Sequence, residues 1–78
     1  MNSIKNISEK YGITEATAKQ FLKYGVRRAK YGVANAKINK PQMKALEKKG
    51  YVIPGYFGTV QKVTDEGIKL FEELHNAS

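Results

Sequence analysis

The sequence predicts an α+β fold in which several helices surround one two-stranded hairpin. Apolar residues recur at helical spacing in four segments, an alternating strand-like segment lies near residue 60, and Pro-Gly turn residues precede that segment. With 78 residues and an apolar share of 41%, the chain has the size and composition of one small soluble domain. We therefore expect a single domain over residues 1–78.

Caps and stops predict the first two helices. Ser3 can cap the first helix, and Gly12 follows where helices commonly end in a left-handed residue. Thr14 can cap a second helix that extends to about Tyr24. Residues 26–38 contain helix-favouring alanines interrupted by glycine, so we expect irregular or short helical structure there.

The second half of the chain predicts a helix, a hairpin and a final helix. Pro41 suits the first turn of a helix over residues 40–49, and Gly50 ends it. Residues 51–53 and 59–63 are predicted strands on either side of a turn. Thr64 can cap a last helix, whose apolar face is expected to comprise Ile68, Phe71 and Leu74, with Leu70 at its edge.

Positive charge is concentrated in the first part of the chain. The formal net charge is +7, and residues 1–50 hold 12 basic and 3 acidic side chains, against 2 and 4 in residues 51–78. A clustered basic block indicates a polyanionic partner on one side of the molecule. Excess lysine for solubility is the alternative interpretation.

Catalytic and metal-binding chemistry finds little support. The chain has no cysteine, which excludes disulfides, thiolate nucleophiles and cysteine-ligated metals. Its one histidine, His75, has no nucleophile or carboxylate in a defined arrangement beside it, and no phosphate-cradling glycine motif is present. We expect no enzyme activity, no cofactor and no metal.

One motif covers the first two predicted helices. Ser8 precedes the turn glycine Gly12 by four residues, Ile13 follows the glycine, and Ala18 and Phe21 lie six and nine residues beyond it. This pattern resembles the helix-turn-helix of bacterial and phage DNA-binding proteins, with serine where alanine is commoner. The resemblance implies that the second helix lies in the major groove.

A second motif covers residues 41–74. A leucine, basic residues, Gly50 and two apolar residues lead into the hairpin, and Val63-Thr64-Asp65-Glu66-Gly67 leads from it into the last helix. This resembles the back half of a winged helix and implies a winged-helix-like domain, in which helices pack around a C-terminal two-stranded hairpin that a last helix follows.

The two resemblances favour different helices as the one that enters the major groove and contacts bases, which we call the reading helix. In the usual winged helix, the helix before the hairpin enters the groove, but the solvent side of residues 40–49 is nearly all lysine and suits phosphate. The second helix offers a mixed polar set that suits base edges. We therefore expect bases to be read by Thr14, Glu15, Lys19, Gln20 and Lys23.

The seven basic residues from Arg27 to Lys48 are expected to contact the DNA backbone. They are Arg27, Arg28, Lys30, Lys37, Lys40, Lys44 and Lys48. At the hairpin tip stand Tyr56 and Phe57, where a wing often carries arginine or lysine. We expect Tyr56 to be exposed and to contact the partner, whereas Phe57 either projects or folds back onto the core.

The predicted function is sequence-related binding of double-stranded DNA by a small basic protein, as a transcriptional regulator or architectural factor of the phage or mobile-element type. One alternative is a protein-binding module that docks on a larger host machine, such as RNA polymerase or a nuclease. A second alternative is RNA binding. No apolar run reaches the roughly 20 residues that cross a bilayer, so we expect a cytoplasmic protein, nucleoid-associated if bacterial or phage. The oligomeric state stays open.

Overall fold

Four helices and one antiparallel hairpin make up the part of the chain that the computed structural model describes, which is residues 3–24, 38–56 and 60–77. In chain order these are helices α1 (Ile4–Tyr11), α2 (Glu15–Tyr24) and α3 (Lys40–Lys48), strands β1 (Val52–Pro54) and β2 (Val60–Val63), and helix α4 (Asp65–Ala77). The predicted α+β class is thereby confirmed. Most of the segment predicted to be irregular lies outside the described residues.

Local hydrogen bonds define the ends of α1 and the start of α2. The Ser3 hydroxyl accepts a hydrogen bond of 3.1 Å from the N–H of Asn6, as an N-cap should. Gly12 adopts φ +73°, and its N–H bonds back to carbonyls in the last turn of α1. Thr14 accepts from the N–H of Thr17 at 3.1 Å and so caps α2. Both predicted caps and the glycine stop are confirmed.

Helix α3 starts with Pro41 in its first turn and ends one residue earlier than predicted, at Lys48. Gly50 then takes φ +80°, and the N–H of Tyr51 bonds to the carbonyl of Leu46 at 2.9 Å. This left-handed residue turns the chain from α3 into the hairpin.

The hairpin has one buried and one exposed face. Val52 pairs with Val63 and Ile53 with Lys62, and an irregularity between Ile53 and Pro54 shifts the register so that Pro54 faces Val60. The three valines are buried, whereas Ile53 and Lys62 face solvent. Tyr51, predicted as a strand residue, instead lies in a buried bend before β1.

Helix α4 closes against the start of the hairpin at a very short distance. The Thr64 hydroxyl accepts from the N–H of Gly67 at 3.2 Å and donates to the carbonyl of Gly50 at 2.6 Å. A Cβ atom on Gly67 would overlap the carbonyl oxygen of Tyr51 and lie 2.6 Å from Cγ1 of Val63. Glycine at residue 67 is therefore what lets α4 approach the bend before β1 and the end of β2.

The core lies where α1, α3 and α4 pack against α2. Its largest fully buried apolar side chains are Ile7, Phe21, Leu46, Leu70 and Leu74. Leu70 was predicted at the edge of the apolar face of α4, and this is wrong: it is fully buried, whereas Ile68 and Phe71 are half-buried. Phe71 still touches the core, since its ring meets that of Phe21 edge to face at 6.5 Å. Among the described helices, none combines the length and apolar character that a membrane span needs.

Candidate nucleic-acid interface

The residues that carry the helix-turn-helix resemblance all lie at the turn or in the core. Ser8 is 2% exposed, Ala18 and Phe21 are fully buried, and Ile13 is also buried. The Ser8 carbonyl accepts from the N–H of Ile13 at 3.0 Å, across the left-handed Gly12. The small and apolar residues of the motif thus hold α1 against α2 through the tight turn, which is the role that the motif requires.

This packing leaves one face of α2 for solvent. At 100° per residue, buried Thr17, Ala18 and Phe21 fall on one side of the helix. Glu15, Ala16, Lys19 and Lys23 are exposed on the other side, and Gln20 is half-buried at its margin. Four of the five residues predicted to read bases are therefore on or beside this outer face.

Thr14 stands apart from the other predicted readers. Its side chain is exposed, yet its hydroxyl oxygen both accepts from the N–H of Thr17 and donates to the Thr17 hydroxyl at 2.8 Å. A hydroxyl has one donor and two acceptor positions, so capping uses most of its capacity. Thr14 has a clear structural role at the start of α2, and base contact by its hydroxyl stays a prediction.

Three lysines form a stripe on the outside of α3. Lys40, Lys44 and Lys48 are all exposed and follow one another at four-residue spacing, which places each about 6 Å along the helix from the last. Like charges at this spacing destabilise a helix by roughly 0.2–0.5 kcal/mol per pair. We call these residues the lysine stripe. An anionic partner laid along the stripe would offset that repulsion.

The end of α3 meets the turn between α1 and α2. The Lys49 side chain extends across Gly12, so that a Cβ atom on Gly12 would lie 2.9 Å from the Lys49 Nζ. An ammonium group therefore sits over the turn that precedes α2. Sequence reasoning did not select Lys49, since the approach depends on how α3 packs and not on any local pattern.

A polar cluster at the C-terminal end of α1 joins α1 to α4. Glu73 accepts from the Lys10 ammonium at 3.0 Å and from the Tyr11 hydroxyl. The bond from Tyr11, followed by that from Lys10, lowers the pKa of the Glu73 carboxyl. Burial and the bond to Glu73 raise the pKa of Tyr11 to about 12. The arrangement stabilises a neutral tyrosine beside an ionised carboxylate, which is a structural contact between helices.

Sequence reasoning did not identify this cluster. Glu73 is half-buried and follows the buried Leu70 by three residues, so the helical period does locate it at the border of the apolar face. Its partner hydroxyl is 62 residues away in the chain. No local signal could have identified that pairing.

The exposed face and tip of the hairpin carry large apolar side chains. Tyr56 is 85% exposed and Ile53 is 45% exposed, and Lys62 lies across the ladder from Ile53. The expected exposure of Tyr56 is confirmed, whereas its contact with a partner stays a prediction. Phe57 lies outside the described residues, as do four of the predicted backbone contacts, Arg27, Arg28, Lys30 and Lys37.

Comparisons with known proteins give no match from which a function could be assigned. No family model matches the chain, and neither curated proteins nor solved structures give a match. Within the described ranges, no group of three or more histidine, aspartate and glutamate side chains is placed to hold a metal ion.

Proposed function

We propose that this chain is a small winged-helix-like protein that binds double-stranded DNA in the cytoplasm, as a transcriptional regulator or architectural factor. It acts by binding and not by catalysis. Helix α2 reads base edges in the major groove, and the lysine stripe of α3 contacts phosphates. The order of the described elements, with a hairpin after α3 and a helix after the hairpin, supports the winged-helix assignment.

The observation that carries the proposal is the division of α2 into two faces. Its inner face is occupied by the motif residues Ala18 and Phe21, and its outer face presents Lys19 and Lys23 to solvent. A helix held in this way by a preceding helix and a tight turn can enter the major groove, as in known helix-turn-helix proteins. Base-edge readout needs such a mixed polar face, whereas phosphate contact needs only charge.

A mobility-shift titration at two salt concentrations tests the proposal. Duplex DNA, single-stranded DNA and RNA of one sequence are compared, and duplex should bind most tightly. Because phosphate contacts release counterions, duplex affinity should fall steeply with salt. Equal or tighter binding of RNA would support the RNA alternative, and the absence of any nucleic-acid binding would contradict the proposal.

Charge reversal separates the lysine stripe from net charge. The double variant Lys44→Glu/Lys48→Glu should weaken binding to all duplexes alike and reduce the salt slope by about 2, since each phosphate contact contributes roughly 0.9. Lys5→Glu/Lys69→Glu makes the same charge change at exposed lysines of α1 and α4 that are not predicted contacts. Equal losses in the two double variants would show that net charge alone is responsible.

Alanine substitution in α2 tests the choice of reading helix. Lys19→Ala or Gln20→Ala should cost roughly 1–3 kcal/mol on a preferred site and less on random duplex, as expected when a base contact is lost. If Lys44 and Lys48 control base preference instead, α3 is the reading helix.

A second candidate function is docking on a larger protein through the hairpin. The exposed Tyr56 and Ile53 favour it, since aromatic side chains are enriched at protein interfaces. A hydrophobic protein contact responds little to salt, so complexes that survive the higher salt concentration would support this function.

A further inference from the structure

Glu15 is an acidic residue on the face of α2 that we propose to meet DNA. It is exposed in the first turn of the helix, and Lys19 and Lys23 follow it at four-residue spacing on the same face. It is the one acid in the sequence of α2, EATAKQFLKY. A carboxylate at this position brings negative charge to a surface that is otherwise suited to phosphate.

The hydrogen-bonding capacity of this face makes Glu15 distinct. Lysine ammonium groups only donate hydrogen bonds, whereas a carboxylate only accepts them. The hydroxyl of Thr14 is engaged with Thr17, and Gln20 is half-buried at the margin of the face. Glu15 is therefore the exposed side chain of α2 that can only accept hydrogen bonds.

In the major groove, an acceptor of this kind meets amino groups. Cytosine presents N4–H₂ there and adenine presents N6–H₂, and glutamate pairs with the cytosine amino group. Guanine and thymine present acceptors at the corresponding positions, so a carboxylate placed against them is repelled. Helix-turn-helix proteins contact bases with the N-terminal residues of the reading helix, which is where Glu15 lies.

The same charge disfavours binding without sequence preference. Phosphate contacts supply essentially all of the affinity for random duplex, and an exposed carboxylate among them weakens it. A repulsion that is relieved only at the correct site increases the difference in binding free energy between that site and all others.

We infer that Glu15 is a specificity-determining residue, which accepts a hydrogen bond from a cytosine amino group in the major groove and lowers affinity for other duplexes. The inference rests on the proposed function, because it requires α2 to read bases. Glu15 also stabilises α2, since a negative charge suits the positive end of the helix dipole. The test therefore has to separate base preference from stability.

Selection from a pool of duplexes with a randomised centre supplies that test. The unchanged protein should recover sequences enriched in cytosine at one position. Glu15→Gln should lose that enrichment and gain adenine there, since glutamine pairs with adenine. It should also bind random duplex several-fold more tightly.

Glu47→Gln is the matched control. Glu47 is an exposed acid of α3, beside the lysine stripe. Its neutralisation changes the net charge by the same amount, and it should tighten binding to random duplex without changing the recovered sequences. Thermal unfolding monitored by circular dichroism checks that the variants are folded at the binding temperature.

If Glu15→Gln unfolds, Glu15→Asp replaces it, because aspartate keeps the charge at the helix start and moves the carboxylate back by one methylene. It should repel random duplex as glutamate does but reduce the cytosine enrichment. Recovery of unchanged sequences by a folded Glu15 variant would overturn the inference while leaving DNA binding intact. Failure of the unchanged protein to bind duplex would instead refute the proposed function.

Discussion

The hydroxyl of Tyr51 donates a hydrogen bond of 2.6 Å to the backbone carbonyl of Tyr11, 40 residues earlier in the chain. The two rings also meet edge to face, with centroids 5.7 Å apart. Tyr11 is the last residue of α1, and Tyr51 directly precedes β1. The start of the hairpin is thus attached to the turn that positions α2, which fixes the hairpin relative to the proposed reading helix.

Tyr51→Phe should destabilise the fold by roughly 1–2 kcal/mol. The ring contact is kept, but the carbonyl of Tyr11 loses its hydrogen-bond partner in a part-buried place. Urea unfolding should show a lower midpoint with an unchanged slope, because the surface exposed on unfolding stays the same. An unchanged midpoint would mean that the bond contributes nothing net to stability.

Gly67→Ala should destabilise the fold by about 1–3 kcal/mol, although alanine is the better helix former by about 1 kcal/mol. The added Cβ would overlap the backbone carbonyl of Tyr51, which cannot move without shifting the start of β1. Calorimetric melting of this variant and of Glu72→Ala, an exposed position in the same helix, provides the comparison. The control should change stability by less than about 0.5 kcal/mol, and a Gly67→Ala protein as stable as this control would contradict the close approach.

Stability should fall at both extremes of pH because of the Tyr11–Glu73 contact. The pKa of Glu73 is below its ordinary value of 4.5. The ionised carboxyl therefore contributes to folding stability above pH 4.5, and this contribution is lost as the pH falls through the folded-state pKa. The pKa of Tyr11 is raised from 10.0 to about 12. The neutral hydroxyl therefore contributes fully to folding stability below pH 10, and this contribution is lost as the pH rises toward 12.

Two substitutions separate the acid loss of stability from the alkaline loss. The measurement is the midpoint of urea unfolding across the pH range. Glu73→Gln should reduce the loss at acid pH, and Tyr11→Phe should reduce the loss at alkaline pH. Tyr51 also has a raised pKa, through burial and then the charge of Glu66, so part of the alkaline loss should persist in Tyr11→Phe. Identical pH profiles for all three proteins would exclude the contact as their cause.

Tyr56→Ala should leave the melting temperature nearly unchanged, because the side chain is 85% exposed, and should weaken binding to duplex DNA several-fold. Gln61→Ala, an exposed change on β2 of the same hairpin, is the control for local disturbance. Normal duplex binding by a folded Tyr56→Ala protein would remove the hairpin tip from the DNA interface. A protein that unfolds would show that Tyr56 has a structural role instead.

Much of the local structure could be predicted because its causes are close together in the chain. Ser3, Thr14 and Thr64 each cap a helix by accepting a hydrogen bond from a backbone N–H three residues ahead. Such caps can be predicted from the sequence because the two groups are close together in the chain. The outer face of α2 follows in the same way from helical spacing, so Lys19 and Lys23 were expected to be exposed. Helical spacing was not sufficient to predict that Leu70 is fully buried, because the direction in which a helix buries its apolar face depends on the elements that pack against it.

What the sequence by itself determined, then, is the order of helices and strands, the caps and the asymmetry of charge. These depend on backbone preferences and on side chains within one or two helical turns. Only the tertiary structure decided that Glu73 bridges to Tyr11, that Lys49 covers Gly12 and that α4 requires glycine at residue 67. Each of these joins segments far apart in the chain, and its geometry is set by how whole elements pack, which no local periodicity specifies.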